Sequence, residues 1–430
     1  MRTRLGSILA AMLVVSACSM RTPEPTPTPT DTPTPRPTPT PSVTPTPTRV
    51  PNCPAPDPNA AWIAPVDYGG YPEAIGNYLN AGGSPAALRT ILTNASSIDA
   101  QFGGVWPYDL TGDGDPETLV SIYDPASRPV DLVPNGMLLI YGCADRTAPL
   151  LHQDTGWPML QVKRVDDFVG AGRGAQVATI RSECGAHTCF DTLDVLGWDG
   201  TRFVSLMGDR LQMPYPQYTF ANLDADPAQE IQAVSGQIAS VGAGPQRTIT
   251  ETWDWNGAQF AKVGQIVSPP EYRIHAVHDA DDFLTNPDFL PTLGNITGVT
   301  DLYQRVITDD TLKDWQVEIG MEKPTDRANL TAYAWYRIMI ANARFGDVAS
   351  AQAAFDRLSA DSPSGAPGHA YRQLAQVFWT KYQETNDLVA ACLAANVHAN
   401  DNADVLDGLN AFGYANRQYV AADMCPFTGP

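Results

Sequence analysis

The chain has 430 residues and a formal net charge of −20, from 27 lysines and arginines against 47 aspartates and glutamates. Proteins that bind nucleic acid hold the phosphates with clustered basic side chains, so this charge excludes nucleic acid as the expected partner. Fifteen of the 38 prolines lie between Pro23 and Pro58. The 372 residues after them are enough for two or three domains with hydrophobic cores.

Residues 1–17 have the pattern of a secretory signal. Two arginines near the start precede an apolar run at 8–15, which is shorter than the roughly 20 residues that cross a bilayer. The sequence Val-Ser-Ala-Cys at 15–18 resembles the lipobox of bacterial lipoproteins, which implies that Cys18 is the lipidated first residue of the mature chain. An ordinary signal peptide that contains a cysteine by chance is the alternative. We therefore expect a protein that is exported and lipid-anchored to the outer face of a bacterial cell membrane or cell envelope.

Residues 18–58 are expected to be a disordered linker. Thr and Pro alternate almost without interruption from Thr22 to Thr48, and such a tract has too few apolar side chains to fold and favours polyproline II. Counting about 31 extended residues at ~3.1 Å each, the linker could hold a domain up to roughly 100 Å from its lipid anchor. A role as a ligand of an SH3-like domain is the alternative, but it needs a cytoplasmic partner and conflicts with export.

The six cysteines that follow the lipid site are expected to form disulfides, because exported proteins fold in an oxidising compartment. The expected pairs are Cys184 with Cys189, Cys392 with Cys425 and, by elimination, Cys53 with Cys143. The first pair spans only a short loop. That loop contains His187, so a zinc site is the alternative there, but a fourth ligand is missing nearby in the sequence.

The middle of the chain repeats one acidic pattern, at 109–117, 167–175 and 222–230, with starts 58 and 55 residues apart. Each copy is followed by a β-type run. Two copies then contain a hairpin with Asp199-Gly200 or Asn256-Gly257, dipeptides that favour type I′ turns. Four strands in a unit of this length are typical of propeller blades, so we expect about three β-propeller-like antiparallel blades.

The acidic loops resemble the FG-GAP/VCBS repeats of integrin-α-type β-propellers, in which a D-x-D-x-D-G-x-x-D/E loop holds calcium. The resemblance covers the region from Val105 to Pro269. Calcium takes about 6 to 8 oxygen ligands, which can converge only where the chain turns tightly. The first loop fits this pattern best. Its expected calcium ligands are Asp109, Thr111, Asp113, Asp115 through its carbonyl, and Glu117, with Gly114 in the sharp turn.

The other two loops fit the calcium pattern less well. The third is expected to be a weaker site, with the ligands Asn222, Asp224, Asp226 and Glu230. Pro227 stands there in place of glycine, and its fixed φ disturbs the coordination. The second loop retains only Asp167 and has Val169, Ala171 and Ala175 at the other ligand positions, so we expect no metal there. For all three loops the alternative is an Asx-rich turn without an ion.

Helical periodicity flanks the β region on both sides. A segment at 71–95 is expected to form two helices around a break at 82–85 and to pack, with the C-terminal region, on the sheets. The region that begins at Ala332 resembles one tetratricopeptide repeat of 34 residues. The residues at its consensus positions are Trp335, Gly346, Ala351, Phe355 and Pro363. Such repeats bind peptides or proteins on a concave face, which the resemblance implies here; the alternative is a helical domain that only stabilises the β part.

No convincing catalytic motif is present in the sequence. The G-x-G-x-x-A pattern at 170–175 precedes a β-type run, whereas a dinucleotide site needs a helix there. His275 and His278 lie beside Asp279, but such pairs at a domain junction are more often structural. We therefore expect no catalytic residues and no cofactor other than structural calcium.

The sequence thus predicts a multidomain α+β fold. Residues 59–270 form an FG-GAP/VCBS-like β domain with a leading helical segment, and residues 271–430 form an all-α, tetratricopeptide-like domain. The expected function is a cell-envelope lipoprotein that acts as a non-enzymatic binding or scaffold module for protein or glycan partners at the cell surface. The alternative is a hydrolase of envelope glycans that uses carboxylates of the β domain.

Overall fold

Thirteen strands in the described part of the chain form three antiparallel sheets that follow one another in sequence. The computed structural model describes residues 52–127, 133–170, 172, 174–185, 187–286 and 293–429. The expected signal peptide, the lipid site Cys18, the linker up to position 51 and Ala171 lie outside the described residues.

The first and third sheets are meanders, in which each strand after the first pairs with the strand before it; the second adds one strand to such a meander. The first sheet contains β1 to β4, at Gly104–Tyr108, Glu117–Tyr123, Gly136–Tyr141 and Leu150–Gly156. The second contains β5 to β8, at Leu160–Asp166, Gln176–Cys184, Cys189–Trp198 and Phe203–Ser205, and β9, at Leu211–Pro214, which pairs with β7. The third contains β10 to β13, at Gln217–Ala221, Glu230–Val234, Ile249–Trp255 and Phe260–Val267. Four consecutive strands thus recur in all three sheets, with β9 as a fifth strand in the second, and the likeness to propeller blades stays a prediction.

Hydrophobic cores lie between consecutive sheets. The core between the first and second sheets includes Leu119, Ile140, Val177, Leu196 and Phe203. The core between the second and third sheets includes Ile180, Val195, Ile231, Trp253 and Phe260. All seven residues of β2 are buried, because both faces of the first sheet are covered.

Two helices cover the outer face of the first sheet. These are α1 (Tyr71–Asn80) and α2 (Pro85–Asn94), and Ser84 caps α2 by accepting a hydrogen bond from the backbone N–H of Ala87 at 3.2 Å. Leu88 and Leu92 of α2 belong to one core with residues of β2 and β3. The two helices expected at 71–95, and their packing on a sheet, are confirmed.

The hairpin turns differ from the expected type I′. The β7–β8 and β12–β13 connections are four residues long, and in each the glycine (Gly200 or Gly257) has a positive φ while the residue before it does not. A type I′ turn needs a positive φ at both positions. Instead, the side chains of Asp199 and Asn256 accept hydrogen bonds from backbone N–H groups two and three residues later.

The last third of the chain is helical. It contains α3 to α11, at Arg273–Thr285, Leu293–Thr308, Trp315–Glu318, Asp326–Phe345, Val348–Asp361, His369–Thr385, Leu388–Asp401, Asp404–Asn410 and Ala421–Met424. The long helix α6 ends at Gly346, whose φ of 85° provides the left-handed C-terminal cap. A mixed α+β fold is thus confirmed, and the likeness to a tetratricopeptide repeat stays a prediction. Among the described helices, none is both long and apolar enough to cross a membrane.

Three disulfides join the chain at its expected places. The pairs are Cys53 with Cys143, Cys184 with Cys189, and Cys392 with Cys425. The first joins the segment before α1 to the end of β3, and the second closes the β6–β7 hairpin. Because the second bridge uses both cysteines of the zinc alternative, that alternative has no thiolate ligand left.

Candidate functional site

The three acidic segments occupy one equivalent place, between the first and second strands of each sheet. We call them loop 1 (109–116), loop 2 (167–175) and loop 3 (222–229). Each loop leads into the acidic or amide residue that opens the second strand, which is Glu117, Gln176 or Glu230. These three residues hold equivalent positions in their sheets, because each pairs with the last residue of the strand before its loop.

Loop 2 is one residue longer than the repeated sequence pattern predicts. Gln176, not Ala175, takes the place of the glutamate, because its Oε1 accepts hydrogen bonds from the backbone N–H groups of Phe168 at 2.7 Å and Val169 at 3.2 Å. A neutral amide thus makes the contacts that a carboxylate makes in loop 1. The glutamine stands directly before the apolar run of β6, which is the sequence signal that could have identified it.

In loop 1, Glu117 and Asp109 accept hydrogen bonds from groups within the loop. Glu117 is 1% exposed, and its Oε2 accepts hydrogen bonds from the N–H groups of Leu110 at 2.7 Å and Thr111 at 3.0 Å. Its Oε1 accepts one from the Thr111 hydroxyl at 3.2 Å. Asp109 accepts hydrogen bonds from the N–H groups of Gly112 and Gly114. Burial raises the pKa of Glu117, and these hydrogen bonds oppose that effect.

Loop 3 leaves one of its carboxylate oxygens unsatisfied. Glu230 is 3% exposed, and its Oε2 accepts a hydrogen bond from the N–H of Leu223. Its Oε1 is buried and has no hydrogen-bond partner among the described residues. The residue equivalent to Thr111 is Asp224, which has no hydroxyl to donate. Loop 3 therefore lacks the hydrogen bond that completes the same glutamate in loop 1.

The oxygens of three carboxylates converge at this point. One oxygen each from Asp224, Asp226 and Glu230 lies within 4.8 Å of the others, and no other described group of three or more such residues meets this criterion. Oδ1 of Asp224 accepts a hydrogen bond from the N–H of Asp226 at 3.0 Å, and Oδ1 of Asp226 accepts one from Ala228 at 2.7 Å. These spacings suit a cation that lies about 2.3 to 2.6 Å from each oxygen.

The sequence favoured loop 1 as the metal site, whereas the carboxylates converge in loop 3. In loop 3 the expected ligand Asn222 is used internally, because its amide oxygen accepts a hydrogen bond from Ala225 and its amide nitrogen donates to Asp226 and Ala228. Pro227 cannot donate the N–H that Gly114 supplies in loop 1. Calcium at loop 1 stays a prediction.

The three loops contact one another in chain order. The N–H of Ala175 in loop 2 donates to the carbonyl of Asp109 in loop 1 at 2.8 Å, and the N–H of Gln229 in loop 3 donates to the carbonyl of Phe168 in loop 2, also at 2.8 Å. The residue equivalent to these donors in loop 1 is Pro116, which has no N–H. The backbone hydrogen bonds thus join loop 2 to loop 1 and loop 3 to loop 2.

We expect Ala225→Gly to stabilise the protein. Ala225 has a φ of 77°, at the position where loops 1 and 2 have Gly112 (76°) and Gly170 (64°). Relief of the left-handed strain outweighs the extra chain entropy of glycine, so the free energy of unfolding should rise by about 0.5–1 kcal/mol in urea denaturation. The control Ala228→Gly, at a buried position with an ordinary φ, should lower it by at least as much. No gain for Ala225→Gly would contradict the strain at this position.

The two histidines that the sequence placed beside Asp279 line a cleft of about 470 Å³ between α3 and the third sheet. His275 Nε2 lies 3.3 Å from the carbonyl oxygen of Pro245, and Asp279 is paired with Arg247. Among the described residues these side chains do not form a three-ligand metal group. His275 Nδ1 and His278 Nε2 are buried without a hydrogen-bond partner among the described residues, so the structural role that the sequence indicated stays a prediction.

The convergence of carboxylates in loop 3 is the candidate metal site of the described chain. It depends on the sheet register and on Glu230, Asp224 and Asp226. No protein-family model, curated protein or solved structure matches this chain.

Proposed function

We propose that this chain is a non-enzymatic binding or scaffold module of the cell envelope and that calcium stabilises its loop 3. The observation that supports this most is the buried Oε1 of Glu230, which lacks a hydrogen bond among the described residues and lies next to oxygens of Asp224 and Asp226. A buried charged oxygen without a partner costs free energy. A cation would satisfy all three carboxylates at once.

Calcium fits these ligands better than other common cations. All three ligands are carboxylate oxygens, which suit hard cations rather than zinc. Magnesium demands near-ideal octahedral geometry at shorter distances, whereas calcium accepts irregular shells. Asp224 and Asp226 are exposed and lie on a turn, so their side chains can adjust to the larger ion.

Loop 1 is the weaker candidate in this proposal. Its glutamate and Asp109 already accept hydrogen bonds from within the loop, so an ion there would have to replace those contacts. The net gain from calcium should therefore be smaller in loop 1 than in loop 3.

We propose that the helices supply a surface for a protein partner and that Cys18 holds the protein at the membrane. A groove of about 640 Å³ lies beside the α6–α7 pair and is lined by Trp335, Arg327, Arg357 and Asp361, among others. Of these side chains, Trp and Arg belong to the residue types that are enriched at protein–protein interfaces. The membrane anchor is supported by the sequence pattern at 15–18 alone.

We expect calcium to raise the melting temperature of the wild-type protein and EDTA to reverse the rise. At about 100 times the dissociation constant, one bound ion adds about 2.7 kcal/mol to the free energy of unfolding. Asp226→Asn and Glu230→Gln keep the side-chain shape and the oxygen that accepts a backbone hydrogen bond, but they remove a charged ligand. Both variants should lose most of the shift in scanning calorimetry.

The matched control is Asp113→Asn in loop 1, which should retain most of the shift. The proposal is wrong if the wild type shows no calcium-dependent rise. It is equally wrong if the double variant Asp224→Asn/Asp226→Asn rises as much as the wild type. If Asp113→Asn alone abolishes the shift, the ion belongs to loop 1 instead.

A further inference from the structure

We infer that the calcium ion of loop 3 is a recognition ion, whose open coordination positions bind a pair of neighbouring hydroxyl groups on a neutral glycan. This inference rests on the proposed calcium site. It adds the chemical class of the ligand and the atoms that would contact it.

The side chains of loop 3 offer the ion only part of its coordination shell. Each of the three carboxylates uses one oxygen to accept a backbone hydrogen bond, so Asp224, Asp226 and Glu230 have one oxygen each for the ion. The side-chain oxygen of Asn222 accepts a hydrogen bond from Ala225. Calcium takes about 6 to 8 oxygens, so about half of its shell must come from water or from a ligand.

The open coordination positions of the ion would face solvent. Glu230 is buried, whereas Asp224 and Asp226 are exposed, so the ion would lie above the glutamate with its other side toward solvent. In loops 1 and 2 a carbonyl accepts an N–H from the next loop along the chain. Loop 3 is the last of the series in the described part of the chain, and Asp224 and Asp226 stay exposed there.

The charge at the site favours a neutral ligand over an anionic one. Three carboxylates and one calcium ion leave a formal charge of −1, on a chain whose net charge is −20. A carboxylate, phosphate or sulfate ligand would add repulsion, whereas two hydroxyl groups can chelate calcium without adding charge. The side chain of Leu223 is 52% exposed next to Asp224 and offers an apolar contact to the C–H face of a sugar ring.

The test uses terbium, a luminescent substitute for calcium, with the full-length protein. Luminescence lifetimes in H₂O and D₂O give the number of water molecules on the bound ion. We expect about three to five waters in the wild type and the loss of about two when mannan, a neutral polysaccharide rich in neighbouring hydroxyls, is added. Wild-type protein should also be retained on immobilised mannan in calcium and released by EDTA.

The control variants separate this inference from the calcium site itself. Asp226→Asn should lose terbium binding and retention, whereas Asp113→Asn in loop 1 should keep both. In calcium, immobilised polygalacturonate, an anionic polysaccharide, should retain less protein than immobilised mannan.

Each contrary result has a distinct meaning. If the wild type binds no more terbium than Asp226→Asn, both the calcium site and the inference fail. If terbium binds with one water or none, the calcium site stands and the open shell is wrong. If the waters are present but mannan neither displaces them nor retains the protein, the neutral glycan is the wrong ligand. The same holds if immobilised polygalacturonate retains more protein in calcium than immobilised mannan does.

Discussion

Asp281→Asn is expected to lower the free energy of unfolding by about 3–5 kcal/mol. Asp281 and Arg337 are both fully buried, and the guanidinium Nε donates to Oδ1 of the carboxylate at 2.9 Å. The hydroxyls of Tyr303, Tyr333 and Tyr419 donate to the same carboxylate. Removal of the negative charge leaves a buried guanidinium without its counter-ion, which is among the most destabilising changes in a protein interior.

The measurement is urea denaturation followed by circular dichroism. The matched control is Asp361→Asn, because Asp361 forms a 2.8 Å ion pair with Arg357 on the surface, where the loss should be less than about 1 kcal/mol. If Asp281→Asn does not fold, Tyr419→Phe removes one hydroxyl and should cost about 1–2 kcal/mol. A loss below about 1 kcal/mol in Asp281→Asn would contradict this role of the network.

The network connects parts of the chain that are distant in sequence. Asp281 lies on α3, Tyr303 on α4 and Arg337 on α6, while Tyr419 precedes α11. Burial raises the pKa of Tyr303 and Tyr419 well above the usual value, so both hydroxyls stay protonated and remain donors. The carboxylate thus fixes the arrangement of three helices and the C-terminal segment.

Nothing in the local sequence distinguishes Asp281 from its neighbours. It lies between Ala280 and Asp282 in a run rich in aspartate and histidine, and Asp282 is exposed. Helical periodicity indicates which face of α3 turns inward, but the partners of that face come from residues 22 to 138 positions away. A buried ion pair of this kind is therefore found only once the tertiary packing is known.

Local patterns did predict much of the secondary structure. The β runs after each acidic loop and the break between α1 and α2 appear where the sequence placed them. Each depends on contacts within a few residues, such as the cap that Ser84 provides. The hairpin turns were wrong because Asp199 and Asn256 can also cap a longer loop, and the dipeptide alone does not distinguish the two.

The metal loops show where motif spacing stops being informative. The motif counts possible oxygen ligands, and by that count loop 1 is better than loop 3. The structure adds which of those oxygens already accept hydrogen bonds. Thr111 satisfies Glu117 in loop 1, while Asp224 cannot satisfy Glu230 in loop 3, so the loop with the poorer motif has the greater need for an ion. That difference follows from side-chain orientation, which spacing does not encode.

The protein is expected to lose about 3 kcal/mol of stability between about pH 6.5 and pH 4 through His278 alone. Burial lowers the pKa of His278 to about 4. Its Nε2 is buried without a partner among the described residues, and its ring lies 6.0 Å from that of Tyr419. The nearby charges act in both directions: Asp281 raises the pKa, while His275, Arg417 and Arg247 lower it.

The sign of this effect follows from proton uptake. In the unfolded chain the histidine takes up a proton near its ordinary pKa of about 6.5, whereas the folded protein resists protonation until about pH 4. The stabilisation is therefore complete above about pH 6.5 and is lost as the pH falls through this window. A difference of one between the folded and unfolded pKa values corresponds to about 1.4 kcal/mol of stability.

His278→Gln should remove this part of the pH dependence. Urea denaturation at half-unit steps from about pH 7.5 to pH 4 should show that the variant loses about 3 kcal/mol less than the wild type, because glutamine takes up no proton. The control His187→Gln replaces an exposed histidine on the β6–β7 hairpin and should follow the wild-type curve. Parallel curves for His278→Gln and the wild type would mean that His278 takes up its proton equally in the folded and unfolded chains. The acid sensitivity of the fold would then have to come from the carboxylates instead.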